Sequence, residues 1–221
     1  MVDDGAGAGL LVVTPGWSGE RVLVRLLSAT GAIRVVGRPL ARATTQPVVV
    51  LRERLRSRGI TRPCALVTPL DISLMAWADP IAVLTELAAD GVVVLSLHRA
   101  SAEDRGLSRA VCGPEVEVLP PGPMALDAAE VIAFRDEGAE AAGVIAAAGT
   151  VVAERLLFED DLEVATGRQA AVERIARTLG LDPWPAPPEH EIPARASLWA
   201  RVSDPAALRA GLDGIAAVLD A

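Results

Sequence analysis

The chain has 221 residues, 51% of them apolar, and its 29 acidic and 21 basic side chains give a net charge of −8. This much apolar content at moderate charge excludes a disordered chain. It predicts one soluble domain, residues 10–221, behind a flexible Gly/Ala-rich start at residues 1–9.

All 21 basic residues are arginine, so no lysine can act as Schiff base, general base or phosphate-binding ammonium. The charge is unevenly divided. Residues 1–62 carry ten Arg against Asp3, Asp4, Glu20 and Glu53, a net +6, and residues 63–221 carry eleven Arg against 25 acids, a net −14. A basic segment on an acidic chain suits a local anionic ligand better than a nucleic acid, which needs a continuous basic face. Arg52, Arg54, Arg56 and Arg58 read as the solvated side of one helix. Cys64 and Cys112 stand 48 residues apart with no Cys or His cluster, which predicts reduced core thiols and no metal site. No apolar run approaches the ~18 residues of a membrane helix, and residues 1–9 lack a basic n-region, so no membrane insertion and a cytoplasmic location are expected.

In chain order, residues 10–13 form a continuous apolar run of the kind found in a strand buried on both faces, ended by Thr14-Pro15-Gly16. From Ser18 the apolar residues Val22, Leu23, Leu26 and Leu27 recur at helical spacing up to Gly31. Pro47 opens a helix through Val48, Leu51 and Leu55 to Gly59, and Pro80 opens another through Val83, Leu84 and Leu87 to Gly91. Further strands are predicted at 64–68, 92–97, 115–119 and 151–158, with a helix-like segment bearing Ser108 after the second. Asp127 caps a helix through Val131, Ile132 and Phe134. Val172, Ile175, Ala176 and Leu179 form a stripe ended by Gly180, and a last helix starts at Asp204-Pro205 with Leu208, Leu212, Ile215 and Leu219. Pro183, Pro185, Pro187, Pro188 and Pro193 mark an extended segment within the domain.

Alternating strands and helices predict an α/β fold of three layers, a mostly parallel sheet with helices on both faces and ligands at the carboxyl ends of its strands. Two such ends carry chemistry. Pro15-Gly16-Trp17-Ser18-Gly19-Glu20-Arg21 passes from strand to helix, where backbone N–H groups form an anion site. It lacks the Gly-Lys-[Ser/Thr] of a Walker A loop, which disfavours nucleoside triphosphate hydrolysis. Residues 92–99 form a strand delivering His98 and Arg99, and Arg99 with Ser108 makes a candidate phosphate clamp.

Together these stretches resemble the sulfotransferases that use 3′-phosphoadenosine 5′-phosphosulfate (PAPS), in particular the bacterial trehalose-sulfotransferase-like branch. Thr14-Pro15-Gly16-Trp17-Ser18-Gly19-Glu20-Arg21 through Gly31 is similar to the family's 5′-phosphosulfate loop and helix. Leu95-Ser96-Leu97-His98-Arg99 through Leu107-Ser108-Arg109-Ala110 is similar to its 3′-phosphate motif, and Leu126 to Ile132 to the helix that follows. Leu156-Leu157-Phe158-Glu159-Asp160-Asp161-Leu162 and Ile175-Ala176-Arg177-Thr178-Leu179-Gly180-Leu181 are similar to its Tyr-Glu-Asp-Leu strand end and Leu-Gly-Leu helix end, with Phe158 in place of Tyr.

The resemblance implies a P-loop-like sulfotransferase fold and PAPS as co-substrate, with no metal. It places Ser18, Gly19, Glu20, Arg21 and Val22 around the 5′-phosphosulfate, and Arg99 with Ser108 on the 3′-phosphate. The implied reaction moves a sulfuryl group to a hydroxyl of a small molecule or carbohydrate. His98, Asp71 and Glu20 are the candidate bases and Arg21 the candidate for neutralising developing charge. The alternative is a catalytically inactive binding or partner protein of the same fold, a pseudoenzyme. It draws on Trp17 before and Glu20 after the Ser-Gly pair, and on residues 31–46, which hold no Asp, Glu or His. A third reading is a phosphotransferase with an unusual loop. The alanine-rich stretch 139–148 reads as a buried helix, with a homo-oligomer contact as the alternative.

Overall fold

The computed structural model describes residues 9–37, 46–55, 63–69, 79–112, 122–184 and 198–219. The expectations for Arg56, Arg58, Gly59, Asp71, the strand at 115–119 and the prolines 185–193 lie outside the described residues, as do residues 1–8 of the expected N-terminal tail. Two compact units are present, one of Met1–Ala100 with Ala141–Pro193, the other of Ser101–Glu140 with Ala194–Ala221.

The first unit is built on an all-parallel sheet of β1 (Gly9–Thr14), β2 (Arg34–Gly37), β3 (Cys64–Pro69), β4 (Val93–His98) and β5 (Val152–Leu157), in the order β2-β3-β1-β4-β5. The three inner strands are apolar runs because both of their faces are covered. Leu10 and Val12 of β1 face one layer, with α1 (Glu20–Ala29) and α6 (Ala165–Thr178) packed over them through Leu23, Leu26, Leu27, Val172 and Ile175. Leu11 and Val13 face the opposite layer, with α2 (Pro47–Leu55), α3 (Pro80–Ala89), Ile145 of α5 (Ala128–Ala147) and Ala148 just after it. These are the expected three layers.

Burial sets these helices more than propensity does. Each fully buried leucine, such as Leu23, Leu26 and Leu27, contributes about 1.5–3 kcal/mol, against a few tenths between good helix formers. The ends are fixed locally. Asp79 accepts from Ile81 N at 2.9 Å at the start of α3, ahead of the expected Pro80, and Gly31, Gly91 and Gly180 follow their helices with positive φ as their positions predict.

Two features depart from expectation. Strand β2 is a short edge strand with only Val35 and Val36 as apolar signal. The strand predicted to reach Phe158 ends at Leu157, because Phe158–Glu163 winds into a π-helical turn. The carboxylate of Asp161 in that turn accepts from Leu157 N at 2.7 Å and pairs with both terminal nitrogens of Arg174 at 2.8 and 3.2 Å.

The second unit joins α4 (Ala102–Cys112), residues 128–140 of α5 and α7 (Pro205–Leu219) around Leu107, Val111, Val131, Ile132, Leu208 and Leu212. Asp127 and Asp204 cap α5 and α7 through Ala129 N at 3.0 Å and Ala207 N at 2.9 Å. Cys64 and Cys112 are free, buried thiols, as expected. Among the described residues no helix is long and apolar enough to cross a membrane.

Candidate functional site

The chain leaves β1 toward β3 and β2 on one side of the sheet and leaves β4 toward β5 on the other, so the strand order reverses between β1 and β4. At such a switch point the loops beyond the two strands diverge and leave room for a ligand. Pairing of Val13 with Ser96 sets the register, so residues 15–19 after β1 and His98-Arg99 at the end of β4 meet at the same edge. The Arg99 Nε–H donates to the Trp17 carbonyl at 3.0 Å. Two stretches about 80 residues apart in the chain, each a candidate anion site by its sequence, are thus in direct contact.

The loop after β1 is tightly folded. Gly16, Trp17 and Gly19 have φ of 84°, 51° and 97°, which turn successive peptide groups out of the strand direction. Thr14 is fully buried; its hydroxyl accepts from Gly16 N at 2.9 Å and donates to Glu20 Oε1 at 2.5 Å. Ser18 is likewise buried; its N–H donates to the same Glu20 oxygen at 3.2 Å, and its hydroxyl donates to the Gly16 carbonyl at 3.2 Å. Gly19 caps α1, its carbonyl accepting from Val22 N and Leu23 N. Glu20 is the first residue of α1, where the helix dipole also favours a carboxylate. An oxyanion, the chain's own Glu20 carboxylate, is therefore seated on the Thr14 hydroxyl and the Ser18 N–H of this loop. Charge-assisted bonds of this type contribute about 1.5–3 kcal/mol each where buried. Arg21 is exposed and Val22 half-buried on the first turn of α1.

Arg99 is 8% exposed, and its guanidinium is held by protein groups on several sides. Besides the Trp17 carbonyl, it pairs with Glu159 Oε1 at 3.3 Å and lies 4.2 Å above the Phe158 ring. Glu159 also accepts from Ala100 N at 2.9 Å, and the edge of Phe158 rests on Gly19. The beginning of the π-helical turn therefore braces both loops. Sequence reasoning missed this brace, although the Phe158-Glu159 pair was marked by resemblance. Nothing in a linear pattern links Glu159 to an arginine 60 positions away. His98 is buried at the end of β4, one residue before Arg99. Ser108 lies on α4 in the second unit, 2% exposed. Among the described residues no group of three His, Cys, Asp or Glu side chains could hold a metal ion.

Comparison of the chain with models of protein families and with curated proteins finds no match.

Proposed function

We propose that the protein is sulfotransferase-like, binding PAPS at the loop after β1 and transferring its sulfuryl group to a hydroxyl of a small molecule or carbohydrate. The observation that carries this reading is the contact of Arg99 with the Trp17 carbonyl at the β1/β4 switch point, which puts a buried guanidinium beside an N–H-lined loop. A carboxylate already sits on Thr14 and Ser18, so the loop's donors fit an oxyanion. Glu20 has to turn away for a phosphosulfate to take its place. In the transfer the acceptor oxygen forms a bond to sulfur while the bridging S–O bond breaks, and adenosine 3′,5′-bisphosphate leaves. The acceptor's proton passes to a base, for which His98 is the nearest candidate to Arg99 in the chain. The residues contribute position and charge neutralisation.

The second reading, a binding protein without transfer, draws on a separate observation: Glu20 and Glu159 hold the donors of both loops. The test is incubation with PAPS and a panel of hydroxyl acceptors, following release of adenosine 3′,5′-bisphosphate. Acceptor-dependent release, cut by about 10²-fold or more in Arg99→Ala, is the outcome of an active enzyme. Binding without acceptor-dependent release selects the second reading, and neither binding nor release overturns both.

A further inference from the structure

In the second unit, Arg105 of α4 is 5% exposed, yet its only hydrogen bond among the described residues runs from Nη2 to the Arg135 carbonyl at 2.9 Å. Its Nε–H is buried with no partner. Among the described residues no carboxylate pairs with it. Of the acids on the facing stretch of α5, Glu137 pairs with Arg109 and Asp136 with the Arg135 side chain. An arginine stays protonated, so Arg105 is a buried cation with no counter-charge among the described residues, an unfavourable arrangement unless something supplies one. Burial accordingly lowers its pKa from the usual arginine value.

The surroundings are shaped to hold this side chain. Gly138 of α5 lies against the guanidinium, and a Cβ there would stand 2.2 Å from Nε and 2.7 Å from Cζ. Any side chain at position 138 would force the guanidinium to move. Ser108 lies three residues further along α4, on the same face and 2% exposed.

We infer that Arg105 is a binding residue for a phosphate or sulfate oxyanion on the second unit. This goes beyond the loop and Arg99 of the proposed function. The guanidinium fork supplies paired donors, and the ligand supplies the missing charge. The inference explains why an unpaired cation persists where an apolar side chain of similar size would be more stable: binding residues are commonly kept at the expense of stability.

The test is thermal denaturation at matched ionic strength, with inorganic phosphate, adenosine 3′,5′-bisphosphate or chloride. Phosphate in hundredfold excess over Kd raises the wild-type Tm by about 5–10 °C. Arg105→Met melts no lower than wild type without phosphate and loses the phosphate-dependent shift. Arg105→Gln, which keeps a donor for the Arg135 carbonyl, decides the matter if the methionine variant does not fold. A larger Arg105-dependent shift with the nucleotide than with phosphate identifies a nucleotide phosphate as the ligand, and equal shifts identify free phosphate. Absence of an anion shift in wild type, or a full shift in the folded Arg105 variant, overturns the inference. If Arg99→Ala abolishes nucleotide binding while the folded Arg105→Met keeps both the phosphate and the nucleotide shifts of wild type, the inference fails and the proposed function stands. An Arg105-dependent phosphate shift without any effect of Arg99 on nucleotide binding upholds the inference and overturns the proposed function.

Discussion

Gly19→Ala is expected to lower the melting temperature by about 5–15 °C, corresponding to about 2–5 kcal/mol. Gly19 has φ 97° and ψ 20°, a left-handed conformation that disfavours any side chain by about 1–2 kcal/mol. The new Cβ would stand 2.1 Å from Cδ2 and 2.6 Å from Cε2 of Phe158, so the ring must move. Phe158 is 4% exposed and is stacked on Arg99, and such overpacking costs about 1–3 kcal/mol more. A thermal melt checks the sum, and a double-mutant cycle checks the cause. Phe158→Ala should cost less in the Gly19→Ala background than in wild type, because it removes the clash. A fully additive pair would refute the contact with Phe158 as the cause. Movement of the ring also displaces Arg99, so the same variant should bind anions more weakly.

Asp161→Ala is expected to cost about 3 kcal/mol, a fall of about 6–12 °C in Tm. Its carboxylate ties the end of β5, through Leu157 N at 2.7 Å, to α6, through both terminal nitrogens of Arg174. Arg174 is nearly a third exposed and retains Glu154 at 3.1 Å, which moderates the loss of the ion pair. The Leu157 N–H left without its acceptor adds about 1–3 kcal/mol if it stays dry. The Arg174 pKa is raised first by its hydrogen bond to Asp161, against the opposing effect of burial. Asp161→Asn should recover about half of the loss, since an amide oxygen can still accept from Leu157 N. A melting temperature within a degree or two of wild type for the alanine variant would rule out this role.

The fold was legible where period and punctuation agree. Leu10 to Val13, and the stripe of Val172, Ile175 and Ala176 ended by Gly180, each carry enough buried apolar residues to specify one element. Strand β2 carries two valines between Arg34 and Gly37 and borrows its stability from pairing with β3. No local pattern announces that kind of edge strand. Phe158-Glu159-Asp160-Asp161 has three consecutive acids, and its π-helical turn is held by Arg174, thirteen residues after Asp161.

The candidate site divides in the same way. The loop at Ser18-Gly19 was readable because a strand ends and a helix starts there. That Glu20 would turn back onto Thr14 was not, because either a ligand or the chain's own carboxylate can satisfy the same donors. Arg99 was found from its place at a strand end, but its commitment to Trp17, Phe158 and Glu159 depends on the packing of β4 beside β5. Arg105 gave no signal at all, since a charged residue at one helical position reads as solvated until Gly138 is seen against it.

Calorimetric titration of the full chain with adenosine 3′,5′-bisphosphate tests the sulfotransferase-like reading most directly. Saturable binding with Kd in the micromolar range, equivalent to about −8 kcal/mol, is expected, together with its loss in Arg99→Ala. Absence of heat and of any melting shift at millimolar nucleotide, in a protein that is folded, would contradict it.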